Sequence, residues 1–253
     1  ERLKSNAIEA AEQSEPWLTP QYFLILCHTS CDRLTTAKKI QAMYNIPIIR
    51  HTHVLPDVRY NTENQIYSFN GIDVEHNSFI SNYNRSAWSC VGENTSFIEH
   101  GIDCNFWADS SNDKEERDNV CISVVNQWPN RDWCCGWELW KQTVGFSEGT
   151  MQSSLPVRVL GDSPGLSEPA PSIEALRDSY RASSIFLNTS LHSPVPTVLM
   201  EAMASGCAIV STNNCMIPEI ITHGENGLLA DTADELRASC QFLLDYQNVQ
   251  LDI

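Results

Sequence analysis

The chain has 253 residues, 42% of them apolar and 19% charged, which suits a globular protein of one large domain or two small ones. Lys plus Arg total 16 against 32 for Asp plus Glu, a net charge of −16 that repels phosphate backbones and excludes nucleic acid as a general partner. No apolar run reaches the roughly 18 residues a membrane-spanning helix needs, and the polar stretch from Glu1 lacks the pattern of a secretory leader.

In chain order, residues 22–27 read as a buried strand and 33–44 as a helix that offers Ala37, Ile40, Ala42 and Met43 for packing. A second strand is expected at Ile46–Arg50 and a short third at Phe79–Ser81. The Asp/Glu-rich stretch 108–119 then marks a boundary between two domains, 1–107 and 108–253. Beyond it, strands are expected at 120–125, 156–161, 184–188 and 207–211, and helices at 134–144, 172–182, 197–205 and 233–245. Ser172 can cap the helix that begins near Ile173, and Gly206 can stop the helix before Cys207. Such alternation implies parallel sheets covered on both faces, an α/β protein of two Rossmann-like lobes facing a cleft. The ten cysteines include no C-x-x-C pair, and several sit in apolar runs such as Phe23–Cys27 and Cys207–Val210. They read as free thiols of a reduced, cytoplasmic protein, with no metal site and no cofactor. Asn84, Asn94 and Asn188 match glycosylation acceptors, which carry no weight without a secretory leader.

The chemistry concentrates in Ser193–Gly206. A strand ends at Asn188, a polar loop follows, and a helix opens near Thr197, so free N–H groups and a positive dipole end suit a diphosphate. Glu201, one turn further in, can accept hydrogen bonds from the vicinal hydroxyls of a ribose. The alternative is an amphipathic helix with Val198, Met200 and Ala202 packed and Glu201 solvated.

Four segments favour the first reading. Leu176–Leu187, Leu199–Gly206, Ile217–Ile220 and Gly224–Leu229 resemble, in order and spacing, the "LxxxYRxADVFL", "LLEAMACG", "IPEII" and "GENGLL" motifs of GT-B glycosyltransferases of the family 4, or glycogen-synthase-like, type. Gly161–Gly165 is similar to that family's "GDGP" turn, His100–Phe106 to its "NGVDxxxF" segment, and Pro47–His53 to its "PVVxTxH" strand end. The resemblance implies a GT-B fold and a metal-independent enzyme that transfers a sugar from a nucleoside diphosphate with retention of configuration. Its partners would be a nucleotide sugar and an acceptor that the sequence does not name, whether glycan, lipid or small molecule; peripheral membrane contact stays open. It also assigns roles. Glu201 would hold the ribose, the amides near Pro196 and Thr197 would meet the diphosphate, and His53 would stand by the sugar. Where the family's "GRxxxxKG" turn has Arg and Lys, this chain reads Val125–Trp133, and Arg131 is expected to clamp the phosphates.

Two departures qualify these expectations. The family's first glutamate, eight residues before Glu201, is replaced by Ser193, so the sugar loses a charged partner unless His192 or a water compensates. The first glycine is Gly71, so the Gly-rich turn of the first lobe is missing and that lobe reads as truncated or reduced. The rival functions are therefore a non-catalytic nucleotide-sugar-binding remnant and a GT-B epimerase. A phosphorylase would need a cofactor lysine, and beyond residue 107 only Lys114 and Lys141 are present.

Overall fold

The computed structural model describes residues 24–28, 31–90, 92, 94–108 and 117–245. It divides into two compact units, one up to Glu99 and one from His100. The acidic stretch used as a boundary marker lies mostly outside the described residues. The division falls before it because Ile102, Phe106 and Trp107 pack into a core of the second unit. Arg181 reinforces this by donating to the carbonyls of Phe106, Trp107 and Ala108.

In the first unit, β1 (Ile25–His28), β2 (Ile48–Thr52), β3 (His76–Phe79) and β4 (Thr95–Phe97) form a parallel sheet in that order. Ile25 lies opposite Ile48, Ile49 opposite His76, and Asn77 opposite Thr95. Helices α1 (Cys31–Tyr44), α2 (Thr62–Asn70) and α3 (Asn82–Ala87) connect the strands. Periodicity misses α2 and α3 because both are short and polar; their ends are made by side chains. Asn61 accepts from the Asn64 amide and Ser81 from the Asn84 amide. The third strand begins at His76 instead of Phe79, since its polar residues pair with neighbouring strands without contributing to an apolar run.

The second unit begins with α4 (Cys104–Trp107) and continues β5 (Asp118–Val124), α5 (Asp132–Cys135), α6 (Trp137–Val144), β6 (Val157–Leu160), α7 (Ile173–Arg181) and β7 (Ser183–Asn188). It ends with α8 (Thr197–Ala204), β8 (Ala208–Thr212), α9 (Ile217–Ile220), β9 (Leu228–Ala230) and α10 (Ala233–Asp245). Its five parallel strands run β6-β5-β7-β8-β9. Side chains alternate between two cores: Cys121, Ile185, Leu187 and Val210 enter one, Ile122, Phe186 and Ile209 the other. Both faces of this sheet are thus covered, as continuous apolar strands require. The single helix expected over 134–144 is broken at Gly136, whose φ of 63° lies in the left-handed region.

Candidate functional site

The strand order locates the place where a ligand can enter the second unit. From β5 the chain steps outward to β6, then crosses back to β7 on the other side. The connections leaving the carboxyl ends of β5 and β7 therefore diverge to opposite sides, the switch point at which open α/β sheets take their ligands.

The loop after β5 is built around buried tryptophan. Trp128 is fully buried against Trp137 and Trp140, and its indole N–H donates to the Cys135 carbonyl at 2.9 Å. Its backbone amide donates to Ser163 Oγ, and the Asp162 amide donates to Asn126 Oδ1. Gly161, at φ 128°, lets the β6 turn approach the Val125 carbonyl so closely that a Cβ would lie 2.2 Å from its oxygen. This is the physical reason for a glycine at the head of Gly161–Gly165. Asp132, where the family pattern puts lysine, caps α6 by accepting from the Glu138 amide at 2.8 Å. Arg131 beside it is exposed, at the end of a short 3-10 turn, with its guanidinium 3.5 Å from the Asn126 carbonyl.

The loop after β7 is tied to the first. Leu191 and His192 both donate their amides to the Cys134 carbonyl, at 2.9 and 3.1 Å, and Thr189 Oγ1 donates to that of Cys135. Gly136 permits the contact, for a Cβ there would stand 2.1 Å from the Thr189 oxygen. Asn188 is spent on architecture: its amide donates to Ser211 Oγ, and its carbonyl accepts from Ser190. As a result the Trp133 and His192 rings meet across the two loops, with centroids 5.8 Å apart and planes 41° apart.

From this loop Ser193 and Pro196 lead into α8 at Thr197. Pro196 is buried, Thr197 exposed, and no side chain caps the helix. Its first N–H groups are therefore left for water or a ligand. Glu201 is half-buried on α8, and Tyr180 Oη donates to its Oε2 at 3.2 Å. Burial raises the Glu201 carboxyl above its ordinary value, and the Tyr180 hydrogen bond offsets part of the rise. Tyr180 is itself completely buried, and burial together with the adjacent carboxyl pushes its hydroxyl well up. Tyr180 belongs to the "YR" of the first motif, yet its pairing with Glu201, 21 residues on, is invisible in the sequence.

Five expected residues thus lie in the second unit: Arg131 on the β5 loop, Ser193 and Pro196 on the β7 loop, and Thr197 and Glu201 on α8. His53 lies in the first unit, just past the carboxyl end of β2. Its ring is 5.4 Å from that of His28 and 5.8 Å from that of His51, a clustering that no motif announces. Trp88 and Asn84 donate to the Val54 carbonyl and fix the segment that carries it. Lys114 lies outside the described residues. Lys141 is engaged with Glu138 at 2.9 Å and Glu148 at 2.6 Å in an open groove of about 820 Å³ between α6 and the start of α10. Among the described residues no helix is long and apolar enough to cross a membrane.

Residues 151–246 match the family described as Glycosyl transferases group 1. No curated protein sequence matches the chain. Solved structures do. HepE of Anabaena, crystallised with UDP, superposes with a TM-score of 0.75 at 16% identity, over 98% of this chain and 73% of its own. The sucrose-phosphate synthase of Thermosynechococcus elongatus gives 0.70 at 16% identity, over 94% and 68%. The catalytic domain of starch synthase IV from Arabidopsis thaliana, bound to ADP and acarbose, gives 0.68 at 14%, over 96% and 69%.

Proposed function

We propose that this chain, a glycosyltransferase of the GT-B type, moves a sugar from a nucleoside diphosphate to an acceptor and holds the nucleotide at the β5/β7 switch point. The observation that carries the reading is the coincidence at one strand-order switch of an uncapped helix start at Thr197 and a half-buried, tyrosine-supported carboxyl at Glu201. Glu201 accepts hydrogen bonds from the ribose hydroxyls. The N–H groups of the first turn of α8 receive the diphosphate, with Thr197 and Arg131 as further hydrogen-bond donors. As the glycosidic bond breaks, negative charge grows on the departing phosphate oxygen, and fixed dipoles already aimed there lower the barrier. Transfer proceeds with retention and without a resident metal ion in this reading. UDP is the first nucleotide to try, because UDP is what the HepE crystal holds.

A thermal-shift series with UDP, GDP and ADP tests the site. At least one is expected to raise the melting temperature; if none does, the assignment of the nucleotide site is wrong. Glu201→Gln is expected to weaken the binding nucleotide by about 1.5–3 kcal/mol, the range for a hydrogen bond to a charged group. Arg131→Ala should weaken the diphosphate but leave the bare nucleoside unaffected; equal loss for both would remove Arg131 from the phosphates. Nucleotide release from the matching sugar donor, with and without candidate acceptors, separates an active transferase from a binding remnant.

A further inference from the structure

Where the family pattern places a glutamate against the transferred sugar, this chain has Ser193, and a neutral hydroxyl makes hydrogen bonds roughly half as strong as a carboxylate's. The neighbouring geometry offers a different kind of contact. His192, next to Ser193 on the β7 loop, and Trp133, on the β5 loop, place two half-buried rings side by side, 5.8 Å apart, where those loops meet. The pair is not a chance approach of two mobile side chains. The Cys134 carbonyl, adjoining Trp133 in sequence, accepts the amide of His192 itself at 3.1 Å and that of Leu191 at 2.9 Å. Thr189 Oγ1 bonds the next carbonyl, and Gly136 admits the close approach. Both backbones are thus held, so the rings are presented by a preformed scaffold at the strand-order switch.

A hexose has two surfaces: an edge of hydroxyls and a face of C–H groups. A carboxylate reads the edge. An aromatic face, with its negative quadrupole, suits the polarised C–H groups, and the imidazole nitrogens of His192 can still reach a hydroxyl. We propose that Trp133 and His192 form the wall against which the C–H face of the donor sugar rests, taking over from the glutamate replaced by Ser193. The wall selects donors that carry a pyranose over the bare nucleotide, and it rests on the nucleotide-site reading above.

The test compares affinities for UDP and UDP-glucose, and for GDP and GDP-mannose, by calorimetry, in the wild type and in Trp133→Ala, Trp133→Phe and His192→Ala. The gain in affinity that the sugar adds to the nucleotide is expected to fall by roughly 2- to 10-fold in Trp133→Ala, from the strength of aromatic contacts. It should be largely restored in Trp133→Phe and partly lost in His192→Ala, while affinity for the bare diphosphate stays within about twofold in all three. Equal losses for sugar nucleotide and bare nucleotide would mean that the rings serve the nucleotide or the loops, and no loss would mean they touch no ligand; either overturns the proposal. Trp133→Phe keeps an aromatic ring in place if the alanine variant fails to fold. A wild-type protein that binds neither member of either pair overturns the wall for these sugars, and failure with ADP as well removes the nucleotide site beneath it.

Discussion

At the scale of single residues, the ribose contact proposed for Glu201 would set function against stability. Its carboxyl is raised above the ordinary range chiefly by burial, so folding favours the protonated form. A group of this kind contributes stability that is complete below the unfolded carboxylate pKa of about 4.3 and is lost as pH rises through the raised folded value. Above that raised value the ionised carboxylate is thus a cost to the empty protein. Glu201→Gln is expected to melt at the same or a higher temperature than wild type at about pH 7 and to lose that advantage below about pH 4. Scanning calorimetry at the two pH values reads this directly, and a variant less stable at neutral pH would mean that the carboxylate is held by more than Tyr180. Cys207 illustrates the opposite case of a chemically quiet group. Wholly buried, with its thiol pushed up to about 12, it should resist alkylation in the native state and react only on unfolding.

At the scale of elements, the loops after β5 and β7 act as one piece. The expected helix 134–144 gives way at Gly136 because the Thr189 carbonyl occupies the space a Cβ would need. Gly136→Ala combines an unfavourable left-handed φ of 63° with that overlap, and is expected to destabilise the second unit by at least about 1–3 kcal/mol in urea unfolding. It should also weaken nucleotide binding, since Leu191 and His192 lose their common acceptor at Cys134. Unaltered affinity in a measurably destabilised variant would show that the loops reach the ligand independently. Helix boundaries were legible where an apolar stripe or a capping residue marked them, as at Ser172 and over 233–245. Helices α2 and α3 were not, because Asn61 and Ser81 cap sequences with little apolar periodicity.

At the scale of the whole molecule, the net charge of −16 has consequences of its own. Ion pairs such as Arg158–Asp118 and Lys141–Glu148 lie at the surface, where pairs of this type contribute about 0–1 kcal/mol each. Repulsion among the excess carboxylates should therefore dominate the salt response. The melting temperature is expected to rise by a few degrees from about 20 mM to about 500 mM NaCl as the screening length shrinks. A flat or falling response would place more weight on local pairing than the surface suggests.

The sequence by itself determined the α/β class and the longer strands and helices of the second unit, though not the break at Gly136 or the short elements α4, α9 and β9, and it pointed to the run Thr197–Glu201. It could do so because strand and helix periods, caps and motif spacing are local, written in residues a few positions apart. What the tertiary structure alone decided is long-range. It set the order β6-β5-β7-β8-β9 that makes a switch point, the Tyr180–Glu201 hydrogen bond, and the meeting of Trp133 with His192. These depend on which strands lie side by side and how closely two backbones approach at Gly136. Residues some 50 positions apart leave no periodic trace of such a contact, and close packing settles it only once the sheet has assembled.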